Sequence, residues 1–141
     1  MAKILVVDDE PSVLQLLTIF LRSDGHQIVT AGSGAEALRT FRELSFDLVI
    51  TDRAMPEMNG DVLAASIKKI RGDVPVILLT GLAGIMRDVG DQPDAIDLVL
   101  GKPLTHEALR NALAKVVKTK QPVENDAFRP LKQWSSRLVL L

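Results

Sequence analysis

Residues 3–10 read Lys-Ile-Leu-Val-Val-Asp-Asp-Glu, an apolar run of strand length that breaks at once into three acidic residues. A run without polar alternation is what a strand covered on both faces needs. Runs of similar length recur along the chain, and three of the five are apolar without alternation. Gln27 to Ala31 (QIVTA), Asp47 to Thr51 (DLVIT), Val76 to Thr80 (VILLT) and Asp97 to Leu100 (DLVL) all have strand length and largely β-branched or leucine content.

Between these runs the apolar residues fall at helical spacing. Ser12 to Arg22 carries Val13, Leu16, Leu17, Phe20 and Leu21 at helical spacing. Ser33 and Glu36 form a capping box that opens a helix through Ala37, Leu38 and Phe41. Val62 to Ile70 repeats the helical pattern. Thr105 caps a last helix to about Lys118, with Leu109, Ala112, Leu113 and Val116 inward. The segment Leu82 to Ile96 holds Gly84, Gly90 and Pro93, and each interior glycine costs about 1 kcal/mol against alanine, so a short, labile helix is expected there. Strand and helix alternate five times, which predicts an α/β fold: an open, doubly wound, five-stranded parallel sheet with helices on both faces.

Composition bounds what such a domain does. A chain of 141 residues suits one ordinary core. With 17 basic against 18 acidic residues it lacks the basic excess of a nucleic-acid binder, and no direct DNA contact is expected. Cysteine is absent, which excludes disulfides, thiol nucleophiles and thiolate metal sites. No apolar run approaches the roughly 20 residues of a membrane span and no signal peptide is legible, so the expected location is the cytoplasm.

Ligands of open parallel sheets bind beyond the carboxyl ends of the strands. The residues ending the five runs are Asp8 and Asp9, Ala31 and Gly32, Asp52, Thr80 and Gly81, and Lys102. Three carboxylates brought to one edge repel, and a hard dication such as Mg2+ relieves that repulsion while sharing its shell with phosphate. Three carboxylates, a dication and Lys102 sum to about zero charge. A site so balanced can accept a phosphoryl group on a carboxylate, with lysine, hydroxyl and metal meeting the equatorial oxygens. Gly81 leaves room for that group.

At this point ILVVDDEPSV (Ile4 to Val13), LVITDRAMPEMNG (Leu48 to Gly60), LLTG (Leu78 to Gly81) and GKPL (Gly101 to Leu104) together resemble the receiver domain of two-component response regulators, over roughly Lys3 to Thr119. The resemblance implies a flavodoxin-like strand order 2-1-3-4-5 and a domain at 1–119. It implies Asp52 as phosphoacceptor from a histidine kinase or histidine phosphotransfer protein, in a phosphorelay whose switch engages a protein target. Asp9 would bind Mg2+ directly and Asp8 mainly through water, with Asp52 and the backbone carbonyl of Ala54 completing the ligands. Thr80 and Lys102 would follow the phosphoryl oxygens. A cis bond before Pro103 would aim the lysine. Such a module is a switch that catalyses only its own phosphorylation and slow dephosphorylation, and the resemblance also admits a phosphorylation-dependent dimer. Two departures stand out: Val99 replaces the family's aromatic on the fifth strand, and Ala54 and Leu82, two past Asp52 and Thr80, offer no side chain to an attacking water.

Two further readings compete with this one. Gly32, Gly34 and Ala37 form G-x-G-x-x-A after a strand, with Asp52 at the distance of a ribose-binding acid, as in a dinucleotide-binding oxidoreductase fragment. That reading leaves Asp8, Asp9, Thr80 and Lys102 unused. The chain also fits the receiver portion of a hybrid histidine kinase. His26 and His106 read as isolated surface residues, and Glu57 and Asn59 as loop and helix cap. Residues 120–141 read as a linker, Gln121 to Pro130, followed by a short amphipathic basic tail with Leu131, Trp134, Leu138 and Leu141 on one helical stripe. A frayed end, docking on the domain or a partner chain, and membrane-surface association are all open for that stripe.

Overall fold

A computed structural model describes residues 1–81 and 95–120, the last three by backbone alone. The strands are β1 (Lys3–Val7), β2 (Gln27–Ala31), β3 (Leu48–Asp52), β4 (Val76–Thr80) and β5 (Leu98–Gly101). The helices are α1 (Pro11–Ser23), α2 (Gly34–Glu43), α3 (Gly60–Ile70) and α4 (His106–Lys120). All strand pairings are parallel, in the order β2-β1-β3-β4-β5. The expected Leu82–Ile96 helix, apart from Ala95 and Ile96, and the tail beyond Lys120 lie outside the described residues.

Two apolar layers hold the sheet, one on each face. Leu5, Val7, Val49, Val76 and Leu78 pack with Ala37 and Phe41 of α2 and Leu63 and Ile67 of α3. The alternate residues Ile4, Val6, Leu48, Ile50, Ile77 and Leu79 pack with Leu17 and Leu21 of α1 and Leu109, Ala112, Leu113 and Val116 of α4. Every residue of β3 and β4 is buried, so their unbroken apolar runs follow from having helices on both sides. Val99 of β5 packs, half buried, on the α2–α3 layer.

Local chemistry sets the helix starts. Ser33 Oγ accepts from Glu36 N–H, Asn59 Oδ1 from Val62 N–H, and Thr105 Oγ1 from Ala108 N–H. The Glu36 carboxylate accepts from Gly32 N–H at 2.8 Å, one residue before the position that the capping box predicts. Leu16, one of the helically spaced apolar residues, is 42% exposed, because the buried stripe of α1 runs through Leu17 and Leu21.

The histidines are not isolated surface groups. His106 stacks on Phe20 with ring centroids 4.8 Å apart, and its Nε2 lies 3.0 Å from Asp24 Oδ2. Arg110 also donates to Asp24, so this carboxylate ties α1 to α4. His26 Nδ1 accepts from Ala2 N–H, and burial, then the N-terminal ammonium, push its pKa below 6.5.

Candidate functional site

The order of the sheet decides which strand ends meet. β1 and β3 are neighbours, with Val7 opposite Thr51, so Asp8 and Asp52 are the next residues along adjacent strands. A carboxylate oxygen of each of Asp8, Asp9 and Asp52 lies within 4.8 Å of the other two. Asp8 is fully buried, Asp52 nearly so, and Asp9 is exposed. Asp8 Oδ1 accepts from Glu10 N–H at 2.9 Å, which fixes the turn that carries Asp9.

Lys102 reaches across from the far edge. Gly101 is paired with Thr80 on β4, and Lys102 N–H donates to the Thr80 carbonyl at 2.8 Å. Its Nζ then lies 2.8 Å from Asp52 Oδ1 and 3.3 Å from Asp8 Oδ2. The Lys102–Pro103 bond is cis, as expected. Thr80, at the end of β4, is buried, and no described residue lies within 4 Å of where a Cβ on Gly81 would stand.

The electrostatics follow from burial and crowding. Burial pushes the Asp8 carboxyl above its ordinary value; the Glu10 amide opposes this, and the Asp52 carboxylate adds to it. For Lys102 burial acts downward, but the bond to Asp52 and the charges of Asp8 and Asp52 outweigh it and hold the ammonium above its ordinary value. Three carboxylates thus face one ammonium, an excess of negative charge that suits a hard cation with oxygen ligands.

The loop after Asp52 is pinned by features that sequence reasoning did not single out. Arg53 N–H donates to Leu79 O of β4, and Gly60 N–H donates to Arg53 O. Arg53 Nε also pairs with Asp61 at 3.1 Å. A Cβ on Gly60 would stand 2.4 Å from the Asp52 carbonyl oxygen, so only glycine lets α3 start against the strand end. Glu57 adopts φ of 69°, Asn59 caps α3 as predicted, and Ala54 is exposed in this loop. A glycine directly after a capping asparagine was the available signal for the close approach.

The G-x-G-x-x-A stretch serves the start of α2. Gly32 N–H is taken by Glu36, and a Cβ on Gly34 would meet Met58 Sδ at 2.6 Å. Among the described residues no helix is long and apolar enough to cross a membrane.

Comparison with known proteins agrees with this geometry. The family model for the response regulator receiver domain matches residues 4–114. The transcriptional regulatory protein GlrR of Escherichia coli is 37% identical over 139 residues, which is 99% of this chain and 31% of GlrR. The DNA-binding response regulator MtrA of Mycolicibacterium smegmatis is 39% identical over 99 residues, 70% of this chain and 39% of MtrA. The chain therefore spans about a third of the length of such curated relatives. A receiver domain protein from Clostridium thermocellum superposes with a TM-score of 0.78 at 38% identity, over 85% of this chain and 97% of that one. The response regulator TrrA of Thermotoga maritima, solved in complex with Mg2+ and BeF, gives 0.74 at 37% identity, over 82% and 99%. The family match over residues 4–114 and the five-stranded parallel fold held in common with these solved structures give one answer: the chain belongs to the receiver domains of two-component response regulators.

Proposed function

We propose that Asp52 is the phosphoacceptor of this receiver domain, and that a histidine kinase or histidine phosphotransfer protein is its donor. The observation that carries this is the contact of Lys102 Nζ with Asp52 at 2.8 Å, inside a cluster of three carboxylates drawn from two strand ends. An Asp52 carboxylate oxygen attacks phosphorus and the phosphorus–nitrogen bond of the phosphohistidine breaks. Its electron pair stays on the imidazole, which takes a proton from water. Lys102 exchanges its contact with the carboxylate for one with a phosphoryl oxygen, and the Thr80 hydroxyl donates to another.

Asp8, Asp9, Asp52 and the Ala54 carbonyl are the groups that would hold Mg2+, which when bound neutralises charge on the transferring group. Added charge of about −1.5 to −2 at Asp52 draws on Thr80 and Lys102, and so on β5 and α4 behind them, where a protein partner would read the change. With Val99 in place of an aromatic, Thr80 carries this readout. The relatives named as transcriptional or DNA-binding regulators support a transcriptional output wherever this domain is joined to an effector domain.

Phosphorylation with acetyl phosphate and Mg2+ is the test, followed through the amide resonances of Asp52 and Thr80. Wild type shifts and Asp52→Asn does not; an unresponsive wild type, or a response that survives in Asp52→Asn, overturns the assignment. Ala54 and Leu82, the latter outside the described residues, supply no polar side chain to an attacking water. The acyl phosphate should therefore outlast a seconds timescale without a phosphatase, and Ala54→Asn should shorten its life.

A further inference from the structure

We propose that residues Leu131 to Leu141 dock in an apolar groove at the pole of the domain opposite Asp52. The groove has a volume of about 540 Å³ and lies between the first strands' N-terminal ends and α4. Its walls include Ala2, Leu48, Ala114 and Val117, with Asp24 and Arg110 at the rim. Val117 is 41% exposed and Ala114 is exposed, so α4 presents apolar surface here that no described residue covers. The volume falls in the range of pockets that take a drug-sized molecule, about 300–1,000 Å³, and so has room for an aromatic side chain together with its apolar neighbours.

The covalent path favours this chain's own tail as occupant. α4 forms one wall and runs to Lys120, so the chain leaves the domain at the lip of the groove. Ala114 to Lys120 spans about 9 Å of helix axis at roughly 1.5 Å per residue. The ten residues 121–130 reach up to about 33 Å, ample to fold back. So short a tether keeps the stripe at an effective concentration of about millimolar. Leu131, Trp134, Leu138 and Leu141 recur at helical spacing and supply the apolar side, with the chain's sole tryptophan as its largest member.

Charge agrees with this placement. Up to Val117 there are 12 basic and 16 acidic residues, whereas Lys118 onward has 5 basic and 2 acidic. Asp47 lies at this pole beside the carbonyl end of α4, which carries partial negative charge, while Asp24 is already paired with Arg110. Lys132 and Arg137 fall off the apolar stripe and are free to face them.

Trp134 reports the test directly in the full chain. Docking predicts blue-shifted emission and weak acrylamide quenching at dilute, monomeric concentration. Ala114→Glu on the groove wall and Leu131→Glu in the tail should each shift emission to the red and restore quenching. Ala114 is exposed, so its variant should keep the wild-type circular dichroism and urea midpoint; Val117→Lys provides a second variant of the same wall. A fully quenchable Trp134 in wild type overturns the proposal, as does protection that survives the wall variants. Protection that appears only as protein concentration rises assigns the groove to a second copy, and protection only with anionic vesicles assigns the stripe to membranes; either result overturns it.

Discussion

Replacing Gly60 by alanine tests whether α3 is held against the end of β3 by backbone contact. The added Cβ would lie 2.4 Å from the Asp52 carbonyl oxygen, 2.7 Å from Leu78 Cδ1 and 3.0 Å from Arg53 Cα. Two of these three atoms are backbone and cannot yield by changing rotamer. To bring the closest contact out to 3.0 Å, the start of α3 must retreat by about 0.6 Å. That retreat stretches the Gly60 N–H bond to Arg53 O, now 2.8 Å, and loosens the seating of Leu63 and Ile67 in the core. Overpacking of this kind costs about 1–3 kcal/mol and the weakened buried bond about 1 more. The stiffer unfolded chain returns about 0.4–1 kcal/mol. The net expectation is a loss of about 2 kcal/mol, or on the order of 10 °C in Tm for a domain of this size, read by urea unfolding with an unchanged m-value. Gly81→Ala is the control, since no described residue lies within 4 Å of a Cβ there, and it should stay within about 0.5 kcal/mol of wild type. Gly34→Ala should fall between them: Met58 Sδ at 2.6 Å can swing away, but Met58 Cβ at 2.9 Å moves only with its backbone. A Gly60→Ala protein as stable as wild type, or a Gly81→Ala protein equally damaged, would refute the reasoning.

Three further outcomes follow from named contacts. Asp8 is buried with its pKa raised, so its contribution to stability is fully present below the ordinary carboxyl range and is lost as pH rises through the folded value. Asp8→Asn should accordingly stabilise the metal-free domain at neutral pH by about 1 kcal/mol and blunt the stabilisation that Mg2+ gives wild type, both read by thermal melts with and without the ion. Asp97 Oδ2 accepts from Lys68 Nζ and from Val76 N–H, each at 2.8 Å, so Asp97→Ala should cost about 2–3 kcal/mol in urea unfolding, with Lys68→Met costing less. His26 has a depressed folded pKa. The stability it contributes is present above pH 6.5 and falls as pH drops through the lowered folded value, and His26→Gln should flatten that limb of a pH–stability curve.

The strands were legible because their burial is two-sided. Lys3–Val7 and Val76–Thr80 have the bounds that the apolar runs predict. The runs at Asp47 and Asp97 are each displaced by one residue, to Leu48–Asp52 and Leu98–Gly101, and the reason is the same in both. Each aspartate sits just before its strand and turns its carboxylate to a neighbouring strand's amide, Lys3 N–H for Asp47 and Val76 N–H for Asp97. Periodicity describes a segment facing solvent or core. It carries no record of which amide lies alongside.

The same distinction divides the site. Asp8, Asp9, Asp52, Thr80 and Lys102 could be read from the sequence because a parallel sheet brings its strand ends to one edge whatever the loops do, and the residue types there answer a single chemical need. Supporting contacts depend on the path of a loop or on the docking of two helices. Gly60 against Asp52 O, Arg53 with Asp61, and His106 with Asp24 across 82 residues of sequence all belong to this second kind. Apart from Gly60, which follows a capping asparagine, none of these residues is unusual in its own neighbourhood, and a lone histidine at a helix start reads as a surface group until Phe20 is found beneath it. Chemistry that topology alone collects is therefore open to sequence reasoning. The contacts that hold this chemistry in place become visible only once the elements are packed, and it is there that substitutions such as Gly60→Ala test the site without touching a reacting group.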